Sequence, residues 1–115
     1  MENITINIVN TIGDVFGVEA EDGQKVFTLI VKAFADNKKV ILSFQNIEML
    51  TTAFLNTAVG QLYKDYSESF IKENLTVSDI SASGKVALKR VVDTAKIFYK
   101  DPEALKRSID ENSED

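Results

Sequence analysis

The segment that most constrains the fold is Val40-Ile41-Leu42-Ser43-Phe44, a short and nearly continuous apolar run. It lies between two longer stretches whose apolar residues recur with helical spacing. A short apolar run in that setting is typical of a central strand in a parallel sheet, where both strand faces are covered. We therefore predict that residues 40–44 form the middle strand of such a sheet.

Three helices are predicted, near residues 23–36, 52–66 and 83–100. Each has an apolar stripe at helical spacing and a residue at its start that can accept hydrogen bonds from the first turn. The expected caps are Asp22 for the first helix, Thr51 or Thr52 for the second, and Ser81 or Ser83 for the third. The stripes and the central strand together predict five buried side chains: Phe27, Ile41, Leu62, Val91 and Phe98.

Further strands are predicted on both sides of the central one. Residues 4–9 alternate apolar and polar side chains, and residues 75–77 are a short β-prone run after a polar connection at 67–74. A second short strand is expected around Phe16. Strands that alternate with helices predict parallel pairing through right-handed crossovers. The fold class is therefore α/β, with a small, mainly parallel sheet that tolerates a mixed edge, and about three helices.

Charge divides the chain into two parts. Residues 101–115 have six acidic and two basic side chains and a net charge of −4, whereas residues 1–100 have a net charge of only −1. We interpret residues 1–100 as one domain and residues 101–115 as an acidic, partly disordered C-terminal tail. A chain without a concentrated basic face is not expected to bind nucleic acid.

Composition argues against ordinary catalysis. The chain has no cysteine and no histidine, so thiolate nucleophiles, zinc–thiolate sites and the commonest general base are excluded. The nearest match to a phosphate-binding loop, residues 79–86, keeps only Gly84-Lys85 of the motif. We expect no enzyme activity, no cofactor and no metal. With no signal-peptide pattern and no long apolar run, the expected location is the cytoplasm, away from membranes.

The most informative junction follows the central strand. A short loop leads to Thr51-Thr52, where a helix is expected to begin. One of these threonines is needed as the helix cap. The free N–H groups of a first turn also favour an anion, including a phosphate carried on a hydroxyl group. Both interpretations of the pair remain open at this point.

These residues resemble a known family. Ser43-Phe44 stands where STAS-like domains of unknown function have Asp-Phe, and Asn46-Ile47 takes the place of their Gly-Val link. Residues 50–58 resemble the family's helix opening, where Phe54 matches and Thr51 keeps a hydroxyl group. Ala53 replaces the family's second serine. The pattern spans roughly residues 4–100, and its fold is shared with STAS domains, such as bacterial anti-anti-sigma factors.

The resemblance implies a regulatory protein-binding module like the anti-sigma-factor antagonists, of bacterial or phage origin. Its partner would be a protein, either a histidine-kinase-like ATPase or an anti-sigma factor. By position, Thr52 is the expected phosphorylation site and Thr51 the second choice. Glu48 and Asn56 are further candidates for contact with the partner. The alternative is a small accessory or inhibitor protein of a phage, plasmid or defence system, whose acidic tail occludes a basic surface.

Overall fold

The predicted central strand lies in the middle of a three-stranded parallel sheet. The computed structural model describes residues 2–100, so the predicted tail at 101–115 lies outside the described residues. Strands β1 (Asn3–Asn7), β3 (Lys39–Ser43) and β5 (Leu75–Ser78) pair in the order β1-β3-β5. Strands β2 (Phe16–Gly17) and β4 (Met49–Leu50) form a separate parallel pair. Every pairing between these strands is parallel, which confirms the predicted fold class.

The two faces of the sheet are covered unequally, and Val77 on the better covered face is still 39% exposed. The pairing register aligns Ile6, Leu42 and Val77 on one face, where Leu42 is completely buried. On the other face Thr5, Ile41 and Thr76 lie side by side, and both threonines are exposed. The expected cover on both faces of the central strand is thus only partial at Ile41, whereas Ser43 on the same face is buried. Ile41 is only half-buried because its neighbours on that face are hydroxyl side chains, which remain in solvent.

The helical segments outnumber the three predicted helices. They are α1 (Ile8–Ile12), α2 (Ala20–Ala35), α3 (Thr52–Leu55), a π-helical turn (Asn56–Gly60), α4 (Leu62–Asp65), α5 (Glu68–Asn74) and α6 (Ala82–Lys100). The predicted helices correspond to α2, to the interrupted segment 52–65, and to α6. Helix α2 begins at Ala20, so Asp22 lies within its first turn and contacts Lys25 at 3.1 Å instead of capping the helix.

Two short helices, α1 and α5, occupy segments that were predicted to be part of a strand and a polar connection. The strand predicted to reach residue 9 ends at Asn7, whose side-chain oxygen accepts a 2.9 Å hydrogen bond from the Asn10 backbone N–H and so caps α1. The connection predicted at 67–74 is helix α5, capped in the same way by Ser67. Helix α5 is packed through Phe70, whose ring meets Phe34 edge-on at 5.2 Å.

The π-helical turn interrupts the helix that follows Thr51. Its wider hydrogen bond runs from the Gln61 N–H to the Asn56 carbonyl at 2.9 Å. The Gln61 side-chain amide donates to the Thr57 carbonyl at 2.7 Å and to the Gln24 side chain of α2 at 2.9 Å. The turn is thereby tied to α2. Gly60 within it is buried against Val91 and Ala95 of α6.

The core lies between the sheet and the helices. Its largest fully buried side chains are Phe54, Ile8, Ile30, Leu42, Leu55, Leu62, Val26 and Val40. Of the five side chains predicted to be buried, Leu62 and Val91 are buried, and Phe27 and Ile41 are half-buried. The prediction for Phe98 is wrong: this side chain is 42% exposed. Burial along α6 ends at Ala95, and the last turn lies beyond that cover.

Helix α2 and the start of α3 approach each other at backbone distance. A Cβ atom built on Gly23 would lie 2.6 Å from the Phe54 carbonyl oxygen and 3.0 Å from the Thr57 Cβ. A side chain at position 23 would therefore clash with the backbone of α3. Position 23 requires glycine because only a residue without a Cβ atom lets the two helix backbones approach this closely.

Candidate functional site

Thr51 anchors the start of the helix that sequence analysis singled out. Its Oγ1 accepts a hydrogen bond from the Phe54 N–H at 3.2 Å and donates one to the Val18 carbonyl at 2.7 Å. Its own N–H donates to the Gly17 carbonyl at 3.0 Å. Thr51 is therefore the helix cap, and it ties α3 to the segment that follows β2. Its hydroxyl group is half-buried and already makes two hydrogen bonds.

Thr52 differs from its neighbour because it is exposed. It is the first residue of α3, one position beyond the cap. Since Thr51 supplies the cap, the fold does not need the Thr52 hydroxyl for that purpose. Of the two threonines, Thr52 is the more accessible to an enzyme or a partner protein.

An exposed apolar pair precedes the helix start. Phe16 and Met49 are directly paired in the β2–β4 ladder and are 47% and 54% exposed. Paired residues of a parallel ladder project from the same face, so the two side chains form one continuous surface. We call these two residues the β2–β4 patch. Met49 lies three positions before Thr52 in the sequence.

The other two candidate residues lie on either side of the threonines. The Glu48 N–H donates to the Val15 carbonyl at 2.8 Å, which extends the contact between the β2 and β4 segments, and Glu48 is exposed. Asn56 is also exposed and begins the π-helical turn, one helical turn after Thr52. Glu48, Thr51 and Thr52 thus occupy the same junction, and Asn56 continues the surface along the helix.

Sequence analysis missed a groove beside this junction. A cavity of about 240 Å³ lies between Ile47–Leu50 and the first turns of α6, where Ser81, Ser83, Gly84 and Ala87 line it. Ser81 caps α6 by accepting from the Gly84 N–H at 3.0 Å. No local sequence signal connects these segments, because they are far apart in the sequence and meet only in the folded chain.

Among residues 2–100, no group of three or more His, Cys, Asp or Glu side chains is placed to hold a metal ion. Burial raises the pKa of Tyr63, and the Glu68 and Asp93 carboxylates raise it further, but Tyr63 lies on α4, outside the junction. The junction combines an exposed hydroxyl, a carboxylate and an apolar patch.

Within the same described part of the chain, no helix has the length and apolar character needed to cross a membrane.

Comparison with known proteins gives a match at the level of a protein family. A family model described as a STAS-like domain of unknown function matches residues 22–85, more than half of the 115-residue chain. The matched region runs from the first turn of α2 to the first turn of α6 and includes Glu48, Thr51, Thr52 and Asn56. Neither the curated proteins nor the solved structures contain a match.

Proposed function

The chain belongs to the STAS-like domain family of unknown function, and from that premise we propose that it is a non-enzymatic regulatory module that binds a partner protein at the start of α3. The observation that carries the proposal is the exposed Thr52 beside the exposed β2–β4 patch. The proposed partner is a histidine-kinase-like ATPase or an anti-sigma factor.

The β2–β4 patch supplies a reason for a protein to bind. Phenylalanine and methionine are enriched in protein interfaces, where burial of apolar surface contributes roughly 25 cal/mol per Å². Both side chains of the patch remain about half exposed in the folded chain. A partner that covers them would gain this contribution, and its contact surface would also reach Glu48 and Thr52.

Thr52 supplies a means of regulation. A phosphate group there would add a charge of about −1.5 to −2 to the contact surface. The first-turn N–H groups favour that charge, so the helix would tolerate it. The cap would stay intact because Thr51, not Thr52, accepts the Phe54 N–H. Phosphorylation is therefore proposed to change partner binding without unfolding the helix.

The test is affinity capture with matched variants, followed by identification of the bound protein and of any phosphorylated residue. We expect the wild type to capture an ATPase or anti-sigma factor of the stated class, and Phe16→Ser/Met49→Ser to lose it. Thr52→Asp should alter binding at least about tenfold, whereas Thr52→Ala should not. Ile97→Ser is the control, since Ile97 is an apolar residue 59% exposed on α6.

Two results would overturn the proposal. One is that Thr52→Asp binds as the wild type does and no phosphate is found on Thr51 or Thr52 in cells. The other is that the Phe16→Ser/Met49→Ser chain keeps full binding. The alternative, an inhibitor that acts through its acidic tail, predicts instead a salt-sensitive binding to a basic partner that is lost when residues 103–115 are deleted. The non-enzymatic part fails if the purified chain hydrolyses nucleotide and one substitution abolishes turnover.

A further inference from the structure

Strand β1 is an edge strand without the usual protection. It pairs with β3 on one side only in the sheet formed by residues 2–100. Because the Lys39 N–H donates to the Glu2 carbonyl at 3.0 Å, the backbone groups of Glu2, Ile4 and Ile6 face β3. Those of Asn3 and Thr5 consequently point to the open side. Natural edge strands are usually guarded by lysine, proline or a bulge, and residues 3–7 contain no charged residue and no proline.

The sequence of β1 is a palindrome, Asn-Ile-Thr-Ile-Asn. If two copies pair antiparallel about a two-fold axis at Thr5, Asn3 lies opposite Asn7 of the second copy, and Ile4 lies opposite Ile6. Thr5 then faces Thr5 of the second copy. Thr5, whose backbone groups point outward, forms the central hydrogen-bonded pair of the new ladder. The Asn7 carbonyl already accepts from the Thr11 hydroxyl at 2.9 Å, so each flanking Asn3–Asn7 pair contributes the bond from the Asn7 N–H to the Asn3 carbonyl. The strand is therefore complementary to itself, as a two-fold interface requires.

The space beside β1 has room for another strand. A groove of about 480 Å³ runs between β1 and α2, and Leu29 on its wall is 40% exposed. The charged side chains around the groove form two ion pairs, Lys32 with Asp36 at 3.4 Å and Lys38 with Glu2 at 3.9 Å. The edge is thus electrically balanced in a chain of net charge −5. Two copies can approach here with little of the repulsion that their net charge would otherwise produce.

We propose that β1 pairs antiparallel with β1 of a second copy, so that the two three-stranded sheets form one continuous sheet. The opposite edge is less suited, because β5 reads Leu-Thr-Val-Ser, which is not self-complementary. A five-residue strand buries less than the roughly 1,600 Å² of a standard interface. The dimer therefore dissociates on dilution. Glu48, Thr51 and Thr52 do not line the groove, so this inference does not depend on the proposed function.

The first test compares Thr5→Lys with Thr76→Lys by sedimentation equilibrium over a concentration series. Both threonines are exposed and flank Ile41 on the same face, one on each edge strand. Thr5→Lys places two like charges opposite each other at the two-fold axis and should raise the dimer dissociation constant at least about tenfold. Thr76→Lys should leave it unchanged. Thermal melts of both variants establish that each is folded.

Two further measurements keep the proposal falsifiable. An equimolar mixture of Thr5→Lys and Thr5→Asp chains should dimerise again, because opposite charges then meet at the axis. The chain has no cysteine, so Thr76→Cys accepts a single spin label, and the two labelled positions should be separated by five strand spacings, about 24 Å between Cα atoms. A wild type that stays monomeric at millimolar concentration would overturn the proposal. So would dimerisation that Thr76→Lys abolishes and Thr5→Lys does not.

Discussion

Thr51 and Thr52 are adjacent in sequence but differ in what their hydroxyl groups do. The Thr51 hydroxyl makes two hydrogen bonds, one of them to the Val18 carbonyl outside the helix. We expect Thr51→Ala to lower the free energy of unfolding by about 1–2 kcal/mol, because it removes both the cap and that bond. Thr52→Ala, an exposed matched control, should change it by less than about 0.5 kcal/mol. Urea unfolding of both variants measures this, and equal losses would contradict the assignment of the cap.

The raised pKa of Tyr63 predicts that the folded chain loses stability at alkaline pH. Its pKa is raised above the ordinary value of 10.0, first by burial and then by the Glu68 and Asp93 carboxylates. The folded chain therefore holds the phenolic proton more tightly than the unfolded chain does. This contribution is complete below pH 10 and is lost as the pH rises through the raised pKa. Unfolding free energies measured across that range should fall less steeply for Tyr63→Phe than for the wild type.

At the scale of elements, the crossing of α2 and α3 depends on Gly23, which has no side chain. Gly23→Ala would place a Cβ 2.6 Å from the Phe54 carbonyl oxygen, so the helices would have to separate. We expect a loss of about 2–4 kcal/mol in unfolding free energy. Gly60→Ala is the matched control, because its Cβ would meet neighbours only at 3.4 Å or more. It should be neutral or stabilising by up to about 1 kcal/mol. Chemical denaturation of both variants tests the difference.

The elements that sequence analysis predicted correctly are those with strong periodicity. Strand β3, helix α2 and helix α6 each have a continuous apolar pattern that few alternative structures could bury. The short helix α1 was missed although Asn7 and Gly13 provide a cap and a left-handed exit, because Ile8 continues the alternation of β1 and Val9 is a β-branched residue typical of strands. The π-helical turn has no signal in the sequence. It depends on tertiary contacts, such as the hydrogen bond between Gln61 and Gln24.

The candidate site was only partly predictable for the same reason. Local sequence placed a capped helix start at Thr51-Thr52, but it could not decide which threonine caps. The 2.7 Å bond to Val18 that occupies Thr51 joins residues 33 positions apart. The β2–β4 pairing is equally non-local, and without it Phe16 and Met49 have no reason to be considered together.

At the scale of the whole molecule, the acidic tail is expected to contribute little to stability. Residues 103–115 offer only Ala104, Leu105 and Ile109 as apolar anchors, and the tail from residue 101 has a net charge of −4. Deleting residues 103–115 should change the melting temperature by less than about 2 °C. Differential scanning calorimetry of the deleted and complete chains provides the measurement. A fall of many degrees would instead mean that Leu105 and Ile109 dock on the domain.

The attachment of α3 has a mechanical consequence for any signal received at Thr52. The first turn is held on one side by the bond from Thr51 to Val18 and on the other by backbone contact with Gly23. These two contacts fix the start of α3 against α2 and the segment that follows β2. A phosphate group on Thr52 would then act through its charge at the surface, where a partner contacts it directly. The added charge would then act mainly on the association rate of the partner. Added salt would weaken this effect, because it screens the charge.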